Sequence, residues 1–247
     1  MSRKPWFRDW FGSEYLALYP HRDRAEGRRA VRLLRRATGL GPGTRVLDVG
    51  CGPGRHLAEM QRIGYRATGL DLSPRMLEAA RAAIPDCALV RADMRRLPFR
   101  AASFDVVTSY FTSFGYFEHE DDDLGALLEA RRLLRVGGWY LLDFLNAAEV
   151  VAHLKTLDRR SVSGMQVVQE RRIADGGRVI EKRIRIVAQN DAPKREFVER
   201  VRLYRPEDLN SMLVRAGLTP GPTFGGYDQS PFSVGSPRYI VLAGAAG

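Results

Sequence analysis

Cysteine is scarce in this 247-residue chain: Cys51 and Cys87 stand alone, too few and too far apart for a disulfide framework or a set of metal ligands. Lysine is nearly as scarce. Lys4, Lys155, Lys182 and Lys194 are all there is, so the formal charge of +10 is carried by arginine. No apolar run approaches the roughly 20 residues that span a bilayer, which predicts no membrane partner. The opening segment MSRKPWFRDWFG lacks the uninterrupted apolar core of a secretory signal, so a cytoplasmic protein is expected. A chain of this length buries a full core, and nothing demands a second domain.

A charge of this sign invites a nucleic-acid reading, because Lys and Arg neutralise phosphates. The arginines, however, are spread along the chain and often stand beside acids, as in Glu170-Arg171-Arg172 and from Glu196 to Arg202. Their excess over lysine, with abundant Ala, Gly and Leu, fits the codon usage of a GC-rich genome better than a dedicated phosphate-binding face. Nucleic acid is the minority reading.

What the chain does have is a glycine loop at the end of a strand. Val46 to His56 reads VLDVGCGPGRH, a short apolar run of the kind that forms a buried parallel strand, followed by glycines at 50, 52 and 54. Those glycines let the backbone turn sharply and meet a ligand with bare main chain. The spacing is G-x-G-x-G, not the G-x-G-x-x-G of the dinucleotide fingerprint, and Arg55 stands where its last glycine belongs. Cys51, inside the loop, is read as a small filler with enough exposure to be alkylated. Asp48 is placed to accept an ammonium group. Asp71 closes the next strand, YRATGLDL at 65–72, where a carboxylate bonds both hydroxyls of a ribose, a feature that a nicotinamide cofactor would share. Asp93 ends the strand predicted from Ala88 onward. There an acid accepts from an exocyclic amine while the next amide donates to the ring nitrogen, so Asp93 with Met94 reads an adenine edge. The turn at Ser73-Pro74 predicts only a capped helix over 75–83.

The residues D-V-G-C-G-P-G at 48–54, G-L-D-L-S at 69–73 and R-A-D-M at 91–94 resemble the class I S-adenosylmethionine-dependent methyltransferases. FDVVTSYFTSFGYF at 104–117 and LLRVGGWYLLDFLN at 133–146 look like the fourth and fifth strands of that family. The resemblance implies an α/β fold, Rossmann-like and doubly wound, with a mostly parallel seven-stranded sheet. It implies S-adenosyl-L-methionine as cofactor and S-adenosyl-L-homocysteine as product. The cofactor-binding residues it implies are Asp48, Gly50, Cys51, Gly52 and Gly54, then Asp71, Leu72 and Met76, then Asp93, Met94 and Tyr110. The aromatic segment WFRDWFGSEYLALY is expected to close over the cofactor, with Tyr15 or Tyr19 facing its methionine end and Arg24 near its carboxylate.

Beyond about Val150 the pattern changes to β-branched residues alternating with charges. Residues 165–189 turn at Asp175-Gly176-Gly177 as a hairpin, and 195–204 read as a third antiparallel strand, one face polar and one apolar. This small inserted sheet resembles in layout the small-molecule N-methyltransferases, including amino-sugar dimethyltransferases. The expected division is a helical cap at 1–40, a cofactor-binding core at 41–147, the insert over the substrate mouth at 148–204, and a last helix with C-terminal strands at 205–247.

The expected reaction is methyl transfer to a small-molecule amine or hydroxyl by in-line displacement. Candidate proton acceptors are Tyr116 and His119, since the histidine found after the S-x-G step in some relatives is replaced by Tyr116; Tyr227 is expected as a pocket or lid residue. A regular helix is predicted over 121–134 with Leu124, Leu127, Leu128, Leu133 and Leu134 on one face. Its acidic start is read as complementing the helix dipole, not as a metal site. A tRNA or other RNA methyltransferase and a non-catalytic cofactor-binding regulator are the alternatives. The first lacks an appended basic module or an Asn-Pro-Pro-Tyr loop, and the second has no need of so complete an acid set. Monomer and homodimer both fit.

Overall fold

The order of elements follows from where the sequence alternates between buried apolar runs and amphipathic stretches. A computed structural model describes residues 5–19, 24–162, 164–187 and 193–246. It opens with helices α1 (Phe7–Trp10), α2 (Ser13–Leu18) and α3 (Arg24–Thr38). In α3, Ala30, Val31, Leu33 and Leu34 are buried while the arginines between them face water, as helical spacing dictates. Residues 1–4 and 20–23 of the expected cap, and 163 and 188–192 of the expected insert, lie outside the described residues.

Strand and helix then alternate: β1 (Arg45–Val49), α4 (Arg55–Arg62), β2 (Arg66–Asp71), α5 (Pro74–Ala83), β3 (Ala88–Arg91), β4 (Phe104–Ser109), α6 (Glu120–Leu133) and β5 (Leu134–Leu145). After α7 (Ala147–Ala152) come β6 (Leu157–Val162), β7 (Met165–Ala174), β8 (Val179–Val187) and β9 (Pro193–Arg202). Helix α8 (Pro206–Arg215), β10 (Leu218–Phe224) and β11 (Arg238–Ala245) complete the chain.

The large sheet has seven strands in the order β10-β11-β5-β4-β1-β2-β3. Strands β1 to β5 pair in parallel, and β11 runs antiparallel between β5 and β10. Sequence order reverses where β1 sits between β2 and β4, and the crevice outside the carboxyl ends of those strands is where open α/β sheets bind ligands. Apolar side chains cover both faces, around Leu47, Val107 and Leu142 on one side and around Val46, Val106 and Leu141 on the other. Among the described residues no helix is long and apolar enough to cross a membrane.

The insert is a separate antiparallel sheet of four strands, β6-β7-β8-β9, not three. Its first strand, LDRRSV, is an edge strand whose alternate residues are only half buried, and its charges hid it in the sequence. Trp10 and Leu18 of the N-terminal helices pack with Val167, Ile184, Ile186 and Phe197 of this sheet. The aromatic opening segment therefore has its own core against the insert.

Two further boundaries and the inward face of α6 differ from expectation. Strand β3 stops at Arg91, two residues before Asp93. Leu134 belongs to β5 and not to α6, and Leu128 is exposed. In α6 the inward face carries Ala126, Leu127, Ala130 and Leu133 together with Asp123, which is completely buried. Asp123 is thus not simply a dipole complement: its carboxylate accepts from the Tyr204 hydroxyl at 2.9 Å and the Gly115 amide at 3.1 Å.

Candidate active site

The glycine loop turns left-handed at each of its three glycines, with φ of 72°, 54° and 84° at Gly50, Gly52 and Gly54. The amides of Gly50 and Cys51 donate to the Leu70 carbonyl at 2.8 and 3.0 Å, which fastens the loop to the end of β2. A Cβ on Gly50 would lie 2.7 Å from that of Ser113, whereas one on Gly52 would project into open space. That space is a ligand cradle. Gly54 serves packing: its Cβ would strike Ile84 at 2.8 Å, and it does not border the cleft.

The cleft encloses about 1080 Å³ of atom-free space, part of it open to solvent, at the carboxyl ends of β1, β2 and β4. Of the residues expected from sequence, Tyr15, Tyr19, Gly50, Cys51, Gly52, Asp71, Leu72, Met76, Asp93, Met94, Tyr110 and Tyr116 come together on its wall. Asp48, Gly54, Arg24 and His119 do not. Arg24 is exposed at the start of α3, and Arg55 stands in the wall instead. His119 is exposed at the N-terminus of α6, outside the cleft and far from the role of proton acceptor. Tyr227 is not in the wall either, since its hydroxyl donates to Asp143.

Asp48 lies beneath the floor, 1 % exposed. Its Oδ1 accepts from the Thr108 hydroxyl at 2.9 Å, and its Oδ2, 3.8 Å from His56 Nδ1, accepts no hydrogen bond from any of the described residues. His56 stacks on Tyr110 at 4.2 Å, and His56 Nε2 and the Tyr110 hydroxyl are likewise buried and unbonded. Buried polar atoms cost free energy until they find a partner, so this end of the cleft is prepared for a polar group. Cys51 is 4 % exposed, and burial pushes its thiol well up, helped by the nearby Asp71 and Asp48 carboxylates. The alkylation expected from sequence is therefore disfavoured.

Asp71 ties two loops together. It accepts from the Gly52 amide at 2.9 Å and the Ser73 amide at 2.8 Å, and burial raises its pKa against the pull of those amides. Ser73 does cap α5, receiving the Met76 amide, but its hydroxyl also donates to the Phe11 carbonyl at 2.5 Å. The N-terminal segment is thereby latched to the cleft's rim. Asp93 is held by the Arg95 guanidinium at 3.0 and 2.7 Å and by the Arg95 amide at 3.0 Å; burial raises its pKa, but these donors outweigh that and the net is below the usual carboxylate range. The Met94 amide donates to no group among the described residues.

Sequence reasoning missed Asp143. It is completely buried at the end of β5 and receives the Phe111 amide at 2.8 Å, the Tyr227 hydroxyl and the Arg238 guanidinium. Phe111 and Thr112 both sit in the left-handed region, with φ of 54° and 64°. Strained residues of this kind persist only where their surroundings impose them. Arg55 and Arg238 lie over the Phe111 ring at 4.9 and 4.8 Å. Asp143 stands two residues before the end of β5, and no local feature of the sequence marks it, because its partners come from the loop after β4 and from β11.

A methyltransferase-domain model matches residues 47–142. That match covers the glycine loop and most of strands β1 to β5, under half of the chain. The demethylmenaquinone methyltransferase of Beutenbergia cavernae is 39% identical to the chain over 111 residues, 43% of this chain and 45% of that protein. The chain thus spans less than half the length of that relative. A solved S-adenosylmethionine-dependent methyltransferase from Clostridium acetobutylicum superposes with a TM-score of 0.80 at 18% identity, over 95% of this chain and 97% of its own. A sugar N-methyltransferase from a Streptoalloteichus species superposes with a TM-score of 0.69 at 25% identity, over 92% and 90%. These likenesses extend the methyltransferase fold through the insert. The domain's donor set fits S-adenosylmethionine: the Gly52 cradle, the Asp71 carboxylate, the Asp93 carboxylate beside an unspent amide, and the unbonded His56 and Tyr110.

Proposed function

We propose that this chain transfers a methyl group from S-adenosylmethionine to a small-molecule amine or hydroxyl. The observation that carries the reading is the wall between two cavities. Phe11, Tyr15, Phe111 and Tyr116 line both the cofactor cleft and a second cavity of about 650 Å³, part of it open to solvent, under the inserted sheet. Phe11 stacks on Tyr116 at 5.7 Å and meets Tyr15 at 5.0 Å.

When bound, S-adenosylmethionine supplies a methyl on a sulfonium already activated for displacement. The chain's own work is to bind, align and exclude water. Asp71 accepts from the ribose hydroxyls, Asp93 and the Met94 amide read the adenine edge, and Gly50 to Gly52 with His56 and Tyr110 receive the amino-acid end. The four aromatic rings keep water from the junction. Of the two proton acceptors expected from sequence, Tyr116 lies on the wall of both cavities and His119 on neither. In this reading 41–147 holds the cofactor, 1–40 and 148–204 enclose the acceptor, and 205–247 completes the sheet, all in the cytoplasm.

A small acceptor is favoured over RNA by how the arginines are spent. Arg45 with Asp105, Arg132 with Glu129, Arg172 and Arg200 with Glu181, and Arg215 with Glu120 are paired, which takes these five out of any phosphate-binding face. The test is a methyl-transfer screen over amines, sugars, phenols and tRNA, read as S-adenosylhomocysteine release. Turnover of a small acceptor supports the reading. Turnover of tRNA alone replaces it.

A further inference from the structure

The second cavity carries an unspent positive charge. Its roof is the inner face of the small sheet, where residues two apart along each strand share a face. Across that face run three rows fixed by the strand register. Gln169, Ile184 and Phe197 form one row, Arg171, Lys182 and Glu199 the next, and Ile173, Ile180 and Val201 the third. A charged row set between mainly apolar rows on a buried face costs desolvation unless it meets a partner.

Two of the three charges have met theirs. Lys182 Nζ lies 2.6 Å from Glu199, whose other contact is the Trp10 indole at 3.1 Å. Arg171 has not. It is half-buried and donates to the Gln169 side-chain oxygen and, at 3.4 Å, to the Lys155 carbonyl, two neutral acceptors. No carboxylate among the described residues lies within ion-pair distance of it. All three charged residues line the cavity, and among the described residues on its wall the balance is Arg171 and Lys182 against Glu199, one positive charge in excess.

We propose that Arg171 anchors a carboxylate on the methyl acceptor. The inference rests on the reading of this cavity as the acceptor site and narrows the substrate to a small monoanion. A guanidinium meets a carboxylate through two parallel hydrogen bonds, and a single excess charge matches a monoanion better than a phosphate dianion. Leu145, Ile180 and Val201, also on the cavity wall, suit an apolar body on the same molecule. The carboxylate end docks under the small sheet, and the nucleophile faces the aromatic wall shared with the cofactor cleft.

The test is calorimetric titration of the full chain with benzoate, benzamide and inorganic phosphate, with and without saturating S-adenosylhomocysteine. Benzoate is expected to bind about 10- to 100-fold more tightly than benzamide, the range of charge-assisted hydrogen bonds, and more tightly than phosphate. Arg171→Met should erase the preference for benzoate, Arg171→Lys should keep part of it, and both should bind S-adenosylhomocysteine as the parent does. Equal binding of benzoate and benzamide, no benzoate binding at millimolar concentration, or a preference that survives Arg171→Met overturns the proposal. Tighter binding of phosphate overturns the choice of carboxylate. Failure of S-adenosylhomocysteine to bind instead overturns the methyltransferase reading and leaves the benzoate comparison without cofactor readable by itself.

Discussion

The Asp143 carboxylate holds the Phe111 amide at 2.8 Å, joining the end of β5 to the strained loop after β4. That loop places a ring on the wall of both cavities, so a buried acid outside the cleft decides the shape of the boundary within it. Asp143→Ala leaves the Phe111 amide and the Arg238 guanidinium without their partner. Breaking a buried pair in this way costs roughly 3–5 kcal/mol. Urea unfolding should show that loss, and an unchanged midpoint would mean the loop is held by other contacts.

A second buried acid makes stability depend on pH. Burial pushes the Asp123 carboxyl up to about 7, against the Tyr204 hydrogen bond and the Arg202 charge. The folded state therefore binds more protons than the unfolded state from about pH 4 to about pH 7, and stability falls as pH rises through that window. Asp123→Asn should flatten this part of the profile, measured by urea unfolding across it. The same slope in both proteins would place the titration elsewhere.

Asp71, which ties the loop through the Gly52 and Ser73 amides, is also proposed to hold the ribose. Asp71→Ala should weaken S-adenosylhomocysteine binding by about 30- to 1,000-fold, from loss of two charge-assisted bonds, and lower apo stability by roughly 1–3 kcal/mol because the Gly52 and Ser73 amides lose their acceptor. Calorimetry and thermal melting read the two effects separately. Normal affinity in a folded variant removes Asp71 from the ribose.

The ring contacts of Tyr116 predict that its ring matters more to turnover than its hydroxyl. It packs on Trp6 at 5.0 Å as well as on Phe11, and a sulfonium methyl asks little of a base. Tyr116→Phe should keep kcat within about tenfold, and Tyr116→Ala should lose more than that. A drop of about 100-fold in Tyr116→Phe would assign the proton to the hydroxyl.

The parts of the fold legible in sequence were those governed by local rules. The glycine loop, the acids at strand ends, the Ser73 cap and the Asp175 hairpin turn each follow from backbone geometry within a few residues. What escaped depends on partners far along the chain. Asp123 looked like one of a run of surface acids until Tyr204 closed over it, and Asp143 has no local reason to be buried until Arg238 arrives from β11. Strand β6 hid because an edge strand needs little apolar content. Asp48 and Arg24 were placed one layer away from where the resemblance implied, the first below the cleft floor and the second outside its wall.

Cofactor choice is the claim on which the rest depends, and calorimetric titration with S-adenosylhomocysteine and with NAD tests it directly. The donor set of Asp71, Asp93, the Met94 amide and the Gly52 cradle predicts micromolar binding of S-adenosylhomocysteine and none of NAD. Micromolar binding of NAD with none of S-adenosylhomocysteine would contradict it.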